Sequence, residues 1–209
     1  MQVSKAILKS VLKTVGRLIG SVCAWPTLIV YRIHCLLMGR SRALASASES
    51  LSIKPGQIGL YTRAAFYRRV LAWVGSDVYL GFGCQFSKDD AVIGDRVYIG
   101  RHCSIGKAII EDDVMLADNV QLLSGRHQHD DNEAVTRGDK PMRDNTQQFD
   151  RVRIGRGAWI GAGAIVMANV GADAVVGAGA VVVKPVLEGS RVAGVPAKRI
   201  DQPRLRRSA

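Results

Sequence analysis

The most regular feature of the chain is an aliphatic or aromatic residue that recurs nearly every six positions through its middle and C-terminal parts. A spacing of six matches neither the period of a helix nor the alternation of a half-buried strand. One-residue slips occur around Ile93 and Ile110, and the phase resumes after a long polar interruption. These hexad positions are Leu80, Phe86, Ile93, Ile99, Ile105, Ile110, Leu116, Leu122, Ile154, Ile160, Val166, Val176 and Val182.

A slim or β-branched residue stands four positions after most hexad residues, and a glycine often follows them directly. A chain that turns a corner every six residues places one bulky apolar side chain inside per face, with room only for a slim one at the corner. Stacked flat faces of this kind form a parallel β-helix, for which such a repeat is typical. An ordinary sandwich of short strands would need turn signals at wider spacing. The slim positions are Cys84, Val97, Cys103, Val114, Val120, Ala158, Ala164 and Ala180.

The N-terminal segment has a helical pattern instead. Lys5, Lys9, Lys13 and Arg17 recur every fourth residue, opposite an apolar stripe. A basic amphipathic helix of this kind is typical of helices that lie in an anionic lipid interface. The 14 uncharged residues 18–31 that follow, broken by Pro26, are fewer than the roughly 20 that span a bilayer. The alternative is that the apolar stripe, which comprises Ile7, Leu8, Val11, Leu12, Val15, Leu18, Ile19 and Val22, packs against the protein or a neighbouring copy.

The net charge of +11 is concentrated in the N-terminal third of the chain. Residues 1–75 hold 11 Lys or Arg and one acid, Glu49, whereas the remainder holds 18 basic and 17 acidic residues. Nucleic-acid binding is disfavoured, because the basic excess lies on an apolar-faced helix without interleaved aromatic residues. Arg32 lies between the apolar run and Ala45-Ser46-Ala47, which argues against a signal peptide. We therefore predict a peripheral contact with the cytoplasmic face of the inner membrane through residues 1–40.

Residues 41–58 are rich in Ser, Ala and Gly and are predicted to be a linker. Residues 60–74 are predicted to form a helix that caps the open end of the β-helix, with Arg63, Arg68 and Arg69 on its solvated face. The alternative for these arginines is contact with a lipid phosphate or an anionic acceptor. The predicted organisation is a helical segment at 1–40, a linker and capping helix at 41–75, a β-helix at 76–185 with a loop at 123–151, and a C-terminal tail at 186–209.

The loop at 123–151 contains Ser124-Gly125-Arg126-His127-Gln128-His129-Asp130, and a loop of this length inside a compact repeat is usually functional. With it, the segments IGDRVYIGRHCSIG, IGRGAWIGAGAIV, VVGAGAVVVK and AGVPAKRI resemble the left-handed β-helix hexapeptide acyltransferases. The resemblance covers about residues 76–200 and is greatest to the branch of maltose, galactoside, xenobiotic and envelope-polysaccharide O-acetyltransferases. It implies an all-β solenoid, a left-handed parallel β-helix, that assembles as a homotrimer with acyl-CoA in the cleft between two subunits.

Acyl transfer from a thioester to a hydroxyl needs a base that takes the hydroxyl proton and an acid that returns a proton to the thiolate. Imidazole can do both near neutral pH. The resemblance places His127 in the role of catalytic base, with His129 as a second candidate. His129 and Asp130 are expected to help bind the acceptor.

The same resemblance implies the residues that hold the donor. Trp159 would line the cleft for the pantetheine arm and the acceptor. Bare backbone at the following corner and at the next coil would let the arm approach the main chain. Two lysines would meet the CoA phosphates as point charges. Besides Trp159, the expected cofactor-binding residues are Gly161, Ala162, Gly177, Ala178, Lys184 and Lys198.

No metal is expected. The γ-type carbonic anhydrases share this fold and bind zinc through three histidines, but the spacing of His127 and His129 differs from theirs, and His102 falls on an outward corner. The four cysteines, Cys23, Cys35, Cys84 and Cys103, lack metal-type spacing and are expected to be reduced.

The sequence thus predicts a CoA-dependent O-acetyltransferase that uses acetyl-CoA and acts on a sugar hydroxyl of a lipid-linked or cell-envelope glycan. Two alternatives stay open: a serine-type O-acetyltransferase for a small soluble molecule, and a catalytically inactive β-helix that serves as a structural subunit. The acceptor, the acyl chain length and the choice between CoA and acyl-carrier protein are not decided by the hexads.

Overall fold

Three helices precede a three-faced β-helix. The computed structural model describes residues 2–124 and 151–200, with side chains from Val11 onward. The helices are α1 (Gln2–Met38), α2 (Arg40–Ser52) and α3 (Gly56–Val70). The strands that follow are β1 (Trp73–Val74), β2 (Tyr79–Leu80), β3 (Gln85–Phe86), β4 (Val92–Ile93), β5 (Tyr98–Ile99), β6 (Ser104–Ile105), β7 (Ala108–Ile110), β8 (Met115–Leu116), β9 (Gln121–Leu122), β10 (Val152–Ile154), β11 (Trp159–Ile160), β12 (Ile165–Val166), β13 (Val175–Val176), β14 (Val181–Val182), β15 (Arg191–Ala193) and β16 (Lys198–Arg199).

The strands form three parallel sheets, one for each face of the β-helix. The first face is β1-β4-β7-β10, the second is β2-β5-β8-β11-β13-β15, and the third is β3-β6-β9-β12-β14; β16 joins the second face antiparallel to β15. Hexad residues stack in register from coil to coil, as Leu80 does on Ile99. Every hexad residue and every slim corner residue named above is at most 1% exposed. The parallel β-helix predicted from the period of six is therefore confirmed.

Where hexad residues are six positions apart, the corner between them turns through a left-handed residue at its third position. Asp77, Arg96 and Asn119 adopt φ values of 50°, 56° and 61° there, and Gly163 adopts 69°. Asp, Asn and Gly tolerate this region best, which explains their recurrence between hexads. His102 occupies such a corner with φ of 54° and is exposed, as the sequence predicted.

Only one of the three corners varies in length. Hexad residues that flank the first and second corners are always six positions apart, whereas the third corner takes seven positions from Phe86 to Ile93 and four from Val166 to Val170. The long loop is inserted at this same third corner, between β9 and β10. The loop therefore enters where the coil already tolerates changes in length.

The residues predicted as a linker at 41–58 form α2 as far as Ser52, so that prediction was wrong. Small and apolar side chains three or four residues apart give α2 a buried face that covers the open end of the β-helix. Ser48 Oγ accepts a hydrogen bond from Phe86 N at 2.9 Å, and Ser52 O accepts one from Gly83 N at 2.9 Å. Helix α2 thereby satisfies these two backbone donors of the first coil. The buried apolar residues of α2 are Ala43, Leu44, Ala47 and Leu51.

Arg63 was predicted to face solvent, but it is 2% exposed. Its Nε donates to Leu80 O at 3.1 Å, and its Nη1 donates to Lys54 O at 2.6 Å and Leu51 O at 3.4 Å. Its stem and guanidinium fill the junction of α2, α3 and the first coil. Burial lowers its pKa, and the three carbonyls compensate part of that cost. Helix α3 ends at Val70, not at Val74 as predicted, because the chain turns into β1.

Helix α1 is continuous through Pro26, contrary to the predicted break. By length and composition alone, its Val11–Met38 part is long and apolar enough to cross a membrane. It packs on α3 through Gly16 and Gly20, where an added Cβ would overlap Tyr61. Ala24 and Leu28, on either side of Pro26, are buried, so packing continues past the proline.

From Val11 onward, the apolar stripe of α1 faces away from the protein, and Lys13 and Arg17 of its basic row face the β-helix. Lys13 Nζ and Arg17 Nη2 lie 3.3 Å and 2.6 Å from Asp77 Oδ1. Leu18 and Val22 on the other side are 64% and 70% exposed. The alternative in which this stripe packs against its own protein is therefore wrong for these residues.

Candidate functional site

The long loop leaves and rejoins the β-helix beside a small ionic cluster. Ser124, the last residue described before it, is buried and accepts a hydrogen bond from Lys107 N at 3.1 Å. Arg151 Nη2 lies 3.2 Å from Asp90 Oδ2, and Lys107 Nζ lies 3.4 Å from the same oxygen. Asp90 Oδ1 is buried without a hydrogen-bond partner in the part of the chain that is described. His127, His129 and Asp130 lie outside the described residues.

The third face, which borders the loop, is apolar on its outer surface in the last coils. Ile165, Met167, Val181 and Val183 point outward there and are half-buried. They make a flat wall between the second and third corners that could take an aliphatic chain.

The second corner forms one edge of this wall. An added Cβ on Gly161 would overlap the amide nitrogen of Ala178, and one on Gly177 would lie 2.8 Å from Ala193 Cβ. Coil stacking therefore requires both glycines, whatever binds outside. Ala162 and Ala178 are exposed, and no atom lies within 4 Å of where a Cβ on Gly163 would stand. The edge is therefore bare, as the sequence suggested. Coil stacking requires glycine at its buried positions, whereas its outer positions carry only small exposed residues.

The two lysines lie on opposite edges of the third face. Lys184 is exposed at the third corner, in line with Ser124 two coils earlier. Lys198 is exposed in β16, beyond the second corner. The tail reaches this edge because Ala197 N donates to Val181 O at 2.8 Å and Gly194 O accepts from Val181 N at 3.0 Å. The structure thus gathers Gly161, Gly177 and Lys198 at one edge and places Lys184 beside the loop.

Trp159 points outward from the second face and is 51% exposed. It pairs in register with Met115, and the same outward position in the earlier coils is held by Tyr98 and Tyr79. The two tyrosine rings stack at 4.7 Å with an interplanar angle of 8°. We call Tyr79, Tyr98, Met115 and Trp159 the aromatic row. Its first three members were not predicted from the sequence, although each stands one position before a hexad residue, as Trp159 does.

The charged corners are structural. Arg96 pairs with Asp113 through two bonds of 2.6 and 2.7 Å, and Arg101 with Asp118 through bonds of 2.9 and 2.7 Å. These bonds lower the pKa of both carboxyls, so neither is suited to act as a base near neutral pH. Each pair joins one coil to the next.

Among residues 11–124 and 151–200, no group of three His, Cys, Asp or Glu side chains could hold a metal ion. The predicted absence of a metal stays a prediction, because His127 and His129 are outside these ranges. Cys84 and Cys103 are buried and, like Cys23 and Cys35, free.

No family model and no curated protein matches the chain. Solved structures do match. A maltose O-acetyltransferase from Clostridium difficile 630 is 22% identical, with a TM-score of 0.57, over 76% of this chain and 86% of that chain. A galactoside acetyltransferase in complex with coenzyme A is 21% identical, with a TM-score of 0.59, over 77% and 81%. A hexapeptide-repeat acetyltransferase from Vibrio cholerae is 18% identical, with a TM-score of 0.52, over 77% and 91%.

Similarity at this level concerns the fold. Together with the three parallel sheets, it identifies the left-handed β-helix shared with the hexapeptide-repeat acetyltransferases as the fold of this chain.

Proposed function

We propose that the chain is an O-acyltransferase that transfers acetyl from acetyl-CoA to a sugar hydroxyl of a lipid-linked or cell-envelope glycan. The observation that carries the proposal is the insertion of a polar loop with two histidines at a corner of the β-helix that borders an open apolar face. The shared fold supports it, since the similar structures are named as acetyltransferases and one was solved with coenzyme A.

The residues of the third face fit a CoA thioester. The half-buried wall of Ile165, Met167, Val181 and Val183 suits the pantetheine arm, and the bare corner at Ala162 leaves backbone accessible to it. Lys184 and Lys198 are exposed and would pair with the phosphates at the two edges. Trp159 would line the side where the acceptor enters.

In this mechanism His127 takes the proton of the acceptor hydroxyl as its oxygen attacks the thioester carbonyl. The carbon–sulfur bond breaks when the tetrahedral intermediate collapses, and the imidazolium returns its proton to the departing thiolate. The products are the O-acetyl ester and the free thiol. His129 and Asp130 would orient the acceptor. We further propose a homotrimer, in which the loop of one subunit completes the site on the next.

Titration calorimetry of acetyl-CoA into the wild type and the His127→Ala and His129→Ala variants tests the site. We expect saturable binding in all three, near one site per chain, because the proposed donor wall does not include the loop. Thiol release with glycan acceptors should fall about 1,000-fold in His127→Ala and much less in His129→Ala, in keeping with the contribution of a general base. The reverse order would move the base to His129. No donor binding in any variant would contradict the CoA assignment and favour a structural role. Light scattering would test the trimer.

We also propose that α1 lies in the plane of the cytoplasmic membrane surface and does not cross it. Its exposed row of apolar side chains supports contact with lipid, and Trp25, 57% exposed, is a residue typical of the interface. A crossing would carry the exposed Arg68 and Arg69 of the attached helix α3 into hydrocarbon, where charges are costly.

Flotation with anionic vesicles tests this placement. The double variant Leu18→Ser and Val22→Ser keeps the packed side of α1 but removes about 3 kcal/mol of apolar burial, which is over a hundredfold in partitioning. Leu187→Ser is the control, since Leu187 is 72% exposed on a distant coil. Equal flotation of the double variant and the wild type would contradict the proposal. A change of oligomeric state in the double variant would instead indicate that a second copy covers α1.

A further inference from the structure

A cavity of about 400 Å³ lies between α1, α3 and the first coil of the β-helix, at the opposite end from the Gly161 corner. None of its lining residues belongs to the third face. Its polar lining comes mainly from Lys13, Arg17, Arg68, Arg69 and Asp77, and Tyr79 closes one side.

The charges of this cavity do not balance. Four cationic side chains line it with one carboxylate, and Asp77 Oδ1 is already shared by Lys13 Nζ at 3.3 Å and Arg17 Nη2 at 2.6 Å. Arg68 donates to the carbonyl of Gly75 at 3.0 Å. Although Arg68 is exposed in part, its partial burial, and then repulsion by Arg17, lowers its pKa. The site therefore lacks negative charge, which an anion of the right size would supply.

The position of the cavity along α1 indicates what kind of ligand would fit it. Lys13, Arg17 and Ser21 are four residues apart, so they form one row along the helix. Leu18 and Val22, one position further on, belong to the neighbouring row and are strongly exposed. A cationic pocket therefore opens directly beside an apolar surface, an arrangement that matches an amphiphile with a charged head and an apolar chain.

We propose that this cavity binds the phosphate group of an amphiphilic molecule at the membrane surface. The guanidinium groups of Arg17 and Arg68 hold the phosphate oxygens, and the chain of the ligand lies along the apolar row of α1. Guanidinium suits this role, since its fork of donors matches phosphate geometry.

Tyr79 links the cavity to the rest of the second face. The aromatic row begins with Tyr79 and ends three coils later at Trp159, about 14 Å away at the usual spacing of strands. A sugar attached to the bound phosphate would lie along these rings and approach Trp159. This extension rests on the proposed function, whereas the phosphate site does not.

Binding of phosphate is measured without donor or acceptor, so its failure is distinct from failure of the acyltransferase. Inorganic phosphate is titrated by calorimetry, and flotation is compared between phosphatidylcholine vesicles and the same vesicles doped with phosphatidic acid. We expect the Arg17→Gln and Arg68→Gln double variant to lose at least tenfold in affinity for phosphate-bearing probes, since each charged hydrogen bond contributes about that factor. Arg96→Gln, which removes a paired arginine on a distant corner, is the control.

Asp77→Asn supplies a test of opposite sign. Asparagine tolerates the left-handed φ of 50° at this corner, and the change frees two cations, so phosphate binding should become tighter. A merely structural role of the cluster predicts weaker binding or none. Saturable binding of inorganic phosphate would show that the free anion suffices; arginine-dependent binding to phosphatidic acid vesicles alone would identify a lipid headgroup. Either result supports the site. Three results would overturn it. They are equal binding by the double variant and the wild type, binding by Asp77→Asn that is no tighter than that of the wild type, and no binding to either probe.

Discussion

Arg63→Met tests whether a buried arginine holds the helical cap on the β-helix. Arg63 is 2% exposed and donates to the carbonyls of Leu80, Lys54 and Leu51. Methionine keeps most of the stem volume but leaves three carbonyls without this donor. At about 1 kcal/mol for each, net of the relieved burial of charge, the free energy of unfolding should fall by about 3 kcal/mol.

Thermal unfolding followed by circular dichroism measures the effect. For a chain of this size, about 3 kcal/mol corresponds to a Tm lower by about 6–12 °C. Protein concentration must be equal across samples, because assembly makes Tm concentration-dependent. Arg63→Lys, which keeps a charge but not the fork of donors, should fall between the wild type and Arg63→Met.

Arg96→Met is the matched control, because Arg96 makes an exposed two-bond pair with Asp113. Exposed ion pairs contribute little to stability because solvent screens them, so its Tm should move by a few degrees at most. If Arg63→Met and Arg96→Met shift Tm equally, Arg63 does not stabilise the junction and the reasoning is refuted.

Two further predictions concern the coils. Gly161→Ala should lower the free energy of unfolding, measured by chemical denaturation, by about 3 kcal/mol or more, because the added Cβ overlaps Ala178. Gly163→Ala should lower it by only about 1–2 kcal/mol, because the new side chain meets open space and only the φ of 69° is unfavourable. Equal losses would show that conformation, not stacking, selects glycine. Asp118 has a pKa held below its ordinary 3.8 by Arg101, so its stabilisation is present above that pH and is lost as pH falls through the lowered value. Asp118→Asn should therefore flatten the decrease of Tm below pH 3.8, and an unchanged slope would contradict the assignment.

The β-helix could be predicted because its constraint is local and repeated. Each of the hexad residues, such as Ile99, must enter the same narrow core, so the spacing of six is visible in a single sequence. Trp159 was named through the resemblance of its segment to the acyltransferase family, and only its outward position follows from its place beside the hexad residue Ile160. The sequence located the loop only along the chain, because the spacing of six does not report what its proposed base, His127, or the neighbouring His129 would face. The apolar wall of the third face was not predicted.

The helical cap was predicted less well, because its residues contact partners that are remote in sequence. The sequence around Ser48 predicts a linker, whereas in the structure Ser48 accepts a hydrogen bond from Phe86 N and belongs to the cap. Arg63 was predicted to be solvated because its partner, the carbonyl of Leu80 at the edge of the first coil, is remote in sequence.

The sequence by itself determined the coil, the loop and the amphipathic character of α1, because periodicity records which side chains share a face. Only the tertiary structure decided which side of that helix packs on the protein and which side faces outward. Its row of small residues packs on α3 and Arg17 reaches Asp77, so the apolar side is left facing outward. Periodicity cannot report this choice, since a helix rotated by half a turn has the same pattern and differs only in the partners it meets.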